Sequence, residues 1–176
     1  MTSDTLPNRS ATTIRRLGLA ALVATAVAAT AAMPARADIS ATARNEAIVR
    51  DAFQRWAGGD NVFQQLLAPD VVWTIPGSGP VAGTYRGLRD FVERASAPLM
   101  SRLATRLVPE VRHIWAVGDR VTVRFNASAT TTGGRPYRNQ FVWLFRMKDG
   151  KVAEAEAFLD LVAYQEVVDT NTPLQR

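Results

Sequence analysis

The chain has 176 residues, of which 47% are hydrophobic and 21% are charged, and 21 Lys and Arg against 16 Asp and Glu give a formal charge of +5 at pH 7. It contains no cysteine, which excludes a disulfide framework, a thiolate nucleophile and a cysteine-ligated zinc site. Its single histidine, His113, excludes a multi-histidine metal site, so we expect neither a bound metal nor a cofactor.

The first 37 residues have the pattern of an export signal. A basic stretch that ends in Arg15 and Arg16 precedes an uncharged run rich in Ala, Leu, Val and Thr, and a small-residue cleavage site follows at residues 35–37. The run is mostly Ala and Thr and therefore weakly apolar, which favours cleavage over a permanent membrane anchor. The paired arginines resemble a twin-arginine signal, but Ile14 stands where that motif usually has Ser or Thr, so an ordinary secretory route stays open. We expect cleavage after Ala37 and a periplasmic or secreted protein with no membrane partner afterwards.

The remaining residues, 38–176, have the size of one domain, with no linker, low-complexity tract or internal repeat. They hold 17 basic and 15 acidic residues, a net charge of +2. This balance is typical of an ordinary protein surface and predicts no nucleic-acid partner.

Three helices are predicted in the first half of this domain. From residue 40 to residue 57 apolar side chains recur at helical spacing, and Gly58 ends the helix. Asp60 is predicted to cap a short second helix. A third helix is predicted over residues 88–97 and is closed by Pro98.

Strands are predicted over residues 71–75, which are rich in β-branched and aromatic side chains, and throughout the C-terminal half. There the turn dipeptides Gly118-Asp119, Gly133-Gly134 and Asp149-Gly150 separate four runs rich in Val, Phe, Thr, Trp and Tyr. A final short helix follows Asp160. These elements predict an α+β fold in which a curved antiparallel sheet wraps around helices to bury its inner face.

The three turns also predict which side chains share a face of the sheet. If each turn is a two-residue hairpin loop, residues counted back equally from it oppose each other and lie on the same face. Counting in this way opposes Asn139 to Asp160, Phe141 to Phe158, Trp143 to Glu156, His113 to Arg124, Val111 to Asn126, Asn126 to Phe141 and Ser128 to Asn139.

One face of the predicted sheet therefore combines aromatic rings with a few polar groups. It collects His113, Trp115, Arg124, Asn126, Ser128, Tyr137, Asn139, Phe141, Trp143, Phe158 and Asp160. The other face is mostly aliphatic and carries Ile114, Val121, Val123, Phe125, Val142, Leu144 and Leu159. The mixed face has the composition of a pocket for a small, mostly apolar or aromatic molecule. The alternative is that the mixed face is solvated or dimeric.

Five short segments spread over nearly the whole mature chain carry a further pattern. They are WTIPG at residues 73–77, GTYRG at 83–87, GRPYRN at 134–139, DGKV at 149–152 and AFLD at 157–160. Together they resemble the SnoaL-like branch of the nuclear-transport-factor-2-like superfamily. The resemblance implies a cone, in which a strongly bent, mostly antiparallel sheet wraps three helices around an internal pocket, and it implies a homodimer. It implies no single reaction, since this cone hosts isomerases, cyclases, epoxide hydrolases and non-catalytic binding modules.

The catalytic residues of these relatives are only partly present. Similarity to ketosteroid isomerase places its carboxylate base at Ile75, which cannot take a proton. The His- and Asp-containing final strand of the polyketide cyclases has no match here. The limonene-type epoxide hydrolases align better, because their Arg-x-Asp falls on residues 124–126 and their last acid on Asp160, but Asn126 replaces one of the two carboxylates.

The resulting candidate catalytic residues are Asp160, Arg124 and His113, and the candidate ligand-binding residues are Asn126, Tyr137, Asn139, Phe141, Phe158 and Trp73. His113 is either a general base or a hydrogen-bonding residue at a strand edge, and Asp160 is a site residue, a helix cap or both. Two functions are open: a cofactor-independent lyase, isomerase or hydrolase that acts through Asp160, and a ligand carrier or sensor without turnover. The enzyme hypothesis calls for an acid with a shifted pKa in a closed pocket, whereas the carrier or sensor hypothesis does not.

Overall fold

A computed structural model describes residues 32–174, with side chains from Asp38 onward. Most of the predicted export signal lies outside the described residues. The first helix begins at Ala32, so the predicted cleavage point after Ala37 falls within a helix, and the boundary of the mature domain stays a prediction. Within residues 32–174, no helix is both long enough and apolar enough to cross a bilayer.

The helices lie in three parts of the chain. Their bounds are Ala32–Gly58 for α1, Phe63–Leu66 for α2, Leu88–Phe91 for α3, Ala97–Met100 for α4 and Leu161–Thr170 for α5. A π-helical turn, Val92–Ser96, joins α3 to α4.

Within residues 32–174, six strands form one mixed sheet in the order β2-β1-β6-β5-β4-β3. Their bounds are Leu67–Ile75 for β1, Gly83–Arg86 for β2, Val108–Val117 for β3, Arg120–Thr130 for β4, Pro136–Lys148 for β5 and Lys151–Leu159 for β6. Strand β1 pairs parallel with β6, and the other pairs are antiparallel. The predicted α+β class and the four-stranded meander are confirmed.

Local predictions are right about the positions of the helices and wrong in three details, two in helices and one in a strand. Asp60 does not cap α2, since its carboxylate accepts from Arg55 Nε at 3.1 Å. Pro98 does not end the third helix, because it lies in the first turn of α4, where no N–H is needed. Strand β2 was not predicted, and it pairs with residues 72–75 of β1.

Two of the three hairpins start with the predicted register and then lose it at a β-bulge. Next to Gly118-Asp119, the predicted pair of His113 with Arg124 is present, but Arg112 is an extra residue and Val111 opposes Phe125 instead of Asn126. Next to Asp149-Gly150, the register holds through Met147 and Val152 and then shifts by one residue. Both bulges interrupt strands that the sequence predicts as regular.

The turn at Gly133-Gly134 is not a two-residue loop. Thr131 N–H donates to the Arg135 carbonyl at 2.8 Å, and Gly134 has the positive φ of 80° that a three-residue loop requires. Asn126 therefore opposes Gln140, and Asn139 opposes Ala127. A shift of one residue moves every side chain of a strand to the other face relative to its neighbour.

These shifts correct the predicted mixed face. The inner face, which packs on the helices, carries Tyr137, Asn139, Phe141 and Trp143 as predicted, but it also carries Val121, Val123 and Phe125, which had been placed on the other side. The residues wrongly placed on the inner face are His113, Trp115, Arg124, Asn126, Ser128 and Phe158, which lie on the outer face. Val142 and Leu144 lie on the outer face, as predicted.

Candidate functional site

Aromatic rings fill the inner face of the sheet. Side chains along β5 alternate between the two faces, and the residues opposite the rings on β6 are small. On β5 every second residue from Tyr137 to Met147 is buried. Across the β5–β6 pair, Trp143 opposes Ala157 and Phe145 opposes Ala155. The alanines give the large rings space above the sheet, so these rings extend toward the helices.

Five rings, three from helices and two from the sheet, form a closed circuit, which we call the aromatic box. It consists of Trp56 on α1, Phe63 on α2, Trp73 on β1, Phe91 on α3 and Trp143 on β5. The successive centroid distances are 5.8 Å for Trp56–Phe63, 5.6 Å for Phe63–Phe91, 4.1 Å for Phe91–Trp73, 5.0 Å for Trp73–Trp143 and 5.7 Å for Trp143–Trp56. Four of these distances lie within the usual range of an attractive aromatic pair and the fifth, Phe91–Trp73, is shorter, so elements far apart in sequence are packed together here.

One polar atom of the aromatic box has no partner. Trp73 is 1% exposed, and its Nε1 is the one buried side-chain polar atom among the described residues that makes no hydrogen bond. An unpaired buried donor carries a desolvation penalty of about 1–3 kcal/mol. Such an atom in a folded protein calls for an explanation, for example an ordered water molecule.

The box contains no ionisable side chain, and two of its rings reach the surface. Trp56 and Phe63 are partly exposed, whereas Trp73, Phe91 and Trp143 are buried. Within residues 38–174, the buried polar side chains are those of Asn45, Thr131 and Asn139, and none of them is charged. The box therefore offers apolar ring surface, but no carboxylate or imidazole for proton transfer.

Asp160 occupies the N-cap of α5. Its carboxylate accepts from the backbone N–H groups of Val162 at 2.9 Å and Ala163 at 3.1 Å, and the residue is exposed. Helix capping was one of the roles that the sequence predicted for Asp160. The same carboxylate lies outside the aromatic box.

Asn139 uses its buried amide to join β5 to the start of α5. Its Nδ2 donates to the Asp160 carbonyl at 2.9 Å, and its Oδ1 accepts from the Asp160 N–H at 3.0 Å. These two hydrogen bonds extend the pairing of β5 with β6 by one residue beyond the end of β6. Asn139 Nδ2 also donates to the Tyr137 hydroxyl at 2.9 Å. Asn139 and Asp160 are thus neighbours, as predicted, through the backbone of Asp160.

Tyr137 is buried beside this amide. Burial raises the pKa of its hydroxyl to about 12, against a smaller opposing effect of the Asn139 hydrogen bond. The hydroxyl is therefore protonated at neutral pH. Phe141, another predicted ligand-binding residue, stacks on Phe125 with a centroid distance of 4.7 Å.

The other predicted site residues lie on the outer face. Arg124 and His113 are cross-strand neighbours there, and the His113 ring stacks on Trp115 at 5.1 Å. With its amide oxygen toward Arg112, Asn126 accepts from Nη2 at 3.1 Å and from Nε at 3.2 Å. Phe158 is 43% exposed. The structure thus places Arg124 and His113 together but on the opposite side of the sheet from Tyr137 and Phe141.

A groove of about 720 Å³ crosses this outer face. It is lined by Val108, Glu110, Asn126, Ala127, Ser128, Arg138, Asn139, Gln140 and Asp160. Both of its carboxylates are engaged, since Glu110 pairs with Arg112 Nη2 at 2.8 Å and Asp160 caps α5. Within residues 38–174, no three His, Cys, Asp or Glu side chains cluster closely enough to hold a metal ion.

Sequence reasoning named Trp73 as a site residue and placed Trp143 on the mixed face, but it did not identify Trp56, Phe63 or Phe91 as site residues. Trp56, Phe63 and Trp143 each follow a regular apolar pattern, which indicates only that they are buried. The contact between them depends on how α1 and α2 pack against the sheet. The alternation of residues along one strand carries no information about that packing.

Comparisons with known proteins agree with this architecture. A family model described as a SnoaL-like domain matches residues 49–155. No curated protein matches the chain.

Among solved structures, one from Jannaschia sp. CCS1, provisionally named a SnoaL-like polyketide cyclase, is 20% identical with a TM-score of 0.60, covering 75% of this chain and 96% of that one. An NTF2-like protein from Burkholderia xenovorans LB400 is 25% identical with a TM-score of 0.52, covering 72% and 97%. TerC co-crystallised with polyporic acid is 26% identical with a TM-score of 0.58, covering 72% and 99%.

Proposed function

Since the chain belongs to the SnoaL-like domain family, we propose that it binds a small, mostly apolar molecule in the aromatic box and acts as a carrier or sensor without turnover. The observation that carries this proposal is the box itself, which combines partly exposed rings, an unpaired buried donor and no ionisable side chain. Apolar walls with very few polar groups are the usual composition of a small-molecule site.

The absence of a buried acid or base among the described residues favours binding over catalysis. A catalytic acid or base normally has a pKa shifted by burial or by a charged neighbour. Among the described carboxylates the resolved pKa shifts are downward. The Arg86 backbone N–H and then the Arg94 side chain lower the pKa of Asp90, and the Arg146 side chain lowers that of Glu154. These groups are surface ion pairs. TerC, a relative of similar fold, was co-crystallised with polyporic acid, which supports the binding of a small organic molecule here.

The proposal is tested by ligand capture with a matched pair of tryptophan variants. The purified chain is incubated with a mixture of steroids, terpenoids and aromatic acids, re-isolated, and the retained compound is identified by mass spectrometry. Trp56→Ala should weaken its binding by about tenfold or more, since a large aromatic contact contributes on the order of 2 kcal/mol. Trp115→Ala removes the same side chain from the outer face, where it is 53% exposed, and should leave binding unchanged.

Two results would contradict the proposal. One is equal loss of binding in the two variants. The other is chemical conversion of the retained compound that Asp160→Asn abolishes, because this would restore the enzyme hypothesis with Asp160 as its acting group.

We also propose a homodimer formed through the outer face of the sheet. Val142 opposes Phe158 across the β5–β6 pair, and Leu144 follows on the same face, with Phe158 43% and Leu144 39% exposed. A patch of this kind can pack on its own copy about a two-fold axis. Leu144→Lys should convert the dimer to a monomer in sedimentation analysis, and a wild-type chain that sediments as a monomer would refute the proposal.

Export is proposed on the sequence pattern of residues 1–37. The helix α1 contacts the β3–β4 turn through Thr42 and Asn45, which hydrogen-bond the Gly118 backbone at 2.7 Å and 2.9 Å. Both residues follow the proposed cleavage point, so cleavage keeps these bonds. Sequencing of the extracytoplasmic protein should find Asp38 at its N-terminus. Replacing Arg15 and Arg16 by lysine should block a twin-arginine route, whereas unchanged export would point to the general secretory route.

A further inference from the structure

We propose that the groove on the outer face of the sheet is a second binding site, and that it takes a small hydroxylated carboxylate, such as a sugar acid, whose carboxylate pairs with Arg138. The groove lies on the opposite side of the sheet from the aromatic box. The proposed dimer patch at Val142, Leu144 and Phe158 does not line it either. The site is therefore independent of both earlier proposals.

The groove continues beyond the cavity of about 720 Å³ that crosses the sheet. A second cavity of about 440 Å³ adjoins it toward the β4–β5 turn, and Val108, Ser128 and Arg138 line both cavities. The whole groove extends from Arg106, in the loop before β3, to Asp160 at the end of β6. Cavities of these volumes are typical of sites for small molecules.

The other charged side chains that line the groove already have partners. Glu110 accepts from Arg112 Nη2 at 2.8 Å, and the Asp160 carboxylate accepts from two backbone N–H groups of α5. At the far end, Arg106 Nη1 donates to the Gly58 carbonyl at 2.8 Å. The two carboxylates are thus compensated before any ligand binds.

Arg138 differs from these residues because its charge is free. It is exposed on β5, opposite Ser128 of β4. Within residues 38–174 its guanidinium makes no hydrogen bond or ion pair. A planar guanidinium with free N–H groups binds a carboxylate through two parallel hydrogen bonds. The uncompensated charge of the groove is therefore positive, and it lies where the two cavities meet.

The polar side chains beside Arg138 indicate a ligand with hydroxyl groups. Ser128 and Gln140 are exposed on the outer face, and neither side chain has a hydrogen-bond partner in the described part of the chain. A hydroxyl and an amide can each donate and accept, so both can pair with ligand hydroxyls. An apolar molecule would cover these groups without pairing them, which is unfavourable.

The experiment compares three probes, D-galacturonate, D-galactose and acetate. The two sugars differ in one group, a carboxylate in place of a hydroxymethyl group, and acetate has the carboxylate without the hydroxyls. The full chain is labelled with ¹⁵N and titrated with each probe at fixed ionic strength, and the Gln140 side-chain amide and the Ser128 backbone amide report binding. D-galacturonate should bind about 3- to 10-fold more tightly than either other probe, as expected for hydrogen bonds that remain partly solvated.

Two variants test whether Arg138 is the anion-binding group. Arg138→Gln keeps a polar side chain but removes the charge, so it should bring the affinity ratio of D-galacturonate to D-galactose close to one. Arg86 is also exposed on the outer face, but it lies on β2, outside the groove. Arg86→Gln makes the same change in net charge and should keep the ratio.

Three results would overturn the proposal. If D-galacturonate and D-galactose bind equally, the groove is not a carboxylate site. If Arg86→Gln lowers the ratio as much as Arg138→Gln, net charge and not the groove attracts the anion. If acetate binds as tightly as D-galacturonate, Arg138 binds an adventitious ion only. These results leave the aromatic box untouched, since its ligand is tested with Trp56→Ala.

Discussion

Side chains along strand β5 alternate between the two faces of the sheet. Polar side chains on the inner face are buried and hydrogen-bonded, whereas those on the outer face are in contact with solvent. On the inner face, Asn139 is buried and its amide is fully hydrogen-bonded to the backbone and to Tyr137. On the outer face, Arg146 pairs with Glu154 at 2.7 Å in solvent, and their hydrogen bond lowers the pKa of the Glu154 carboxyl. Charge is therefore confined to the face where it remains hydrated.

This difference bears directly on function. The outer face holds carboxylates, arginines and the single histidine, which are the residue types that catalysis requires, and these side chains are exposed to water or ion-paired. The inner face is secluded enough to alter reactivity and holds no ionisable side chain among the described residues except buried tyrosines. A secluded, apolar interior is suited to binding, and the contrast can be tested with matched substitutions on the two faces.

The largest expected difference is between two phenylalanines on opposite faces. Phe125 is 0% exposed and Phe158 is 43% exposed. Phe125→Ala should lower the free energy of unfolding by about 3–5 kcal/mol, because it leaves a cavity among packed rings. Phe158→Ala should cost about 1 kcal/mol or less at concentrations where the chain is monomeric. Urea denaturation measures both, and equal losses would mean that the faces are not distinct.

The second comparison concerns adjacent polar residues, Asn139 inside and Gln140 outside. Asn139→Leu should cost about 2–3 kcal/mol, since it leaves the buried Tyr137 hydroxyl and the Asp160 peptide groups without their partner. Gln140→Leu should change stability by about 0.5 kcal/mol or less. Hydrogen exchange at the start of α5 should accelerate in the Asn139 variant alone. Unchanged exchange there would show that the amide does not hold the helix.

The third prediction concerns alkaline pH, which probes the interior. Burial raises the pKa of Tyr137 to about 12, above the value of about 10 for an exposed tyrosine. A raised folded pKa means that this contribution to stability is complete below pH of about 10 and is lost as pH rises toward about 12, because the unfolded chain ionises first. Tyr137→Phe should reduce the steepness of alkaline destabilisation by about one proton. An identical pH profile in the variant would contradict the burial of this hydroxyl.

The smallest expected effect is at Asp160. Asp160→Ala should cost about 1 kcal/mol through loss of the helix cap, whereas Asp160→Asn should cost little, because asparagine caps equally well. Thermal unfolding of the two variants checks this order. If Asp160→Asn is as damaging as Asp160→Ala, the carboxylate charge has a role beyond capping.

Local sequence was sufficient for the order of elements and for features decided within a few residues. The helical spacing of Val49, Phe53 and Trp56 predicts α1, and the dipeptide at Asp149-Gly150 predicts a tight hairpin, in which both residues indeed have positive φ. The sequence also predicted helix capping as one of the roles of Asp160. These features depend on short-range hydrogen bonds and backbone preferences.

Tertiary structure alone decided which side chains share a face and which of them meet. Three local features each moved a set of side chains across the sheet. They are an extra residue at Arg112, another at Ala153, and a three-residue loop near Gly134. The reason is that strand side chains repeat every two residues, so a change of one residue in a loop or bulge reverses the faces while the sequence pattern stays the same. The unpaired nitrogen of Trp73 could not be predicted either, because the surroundings of a buried side chain depend on how the helices pack against the sheet.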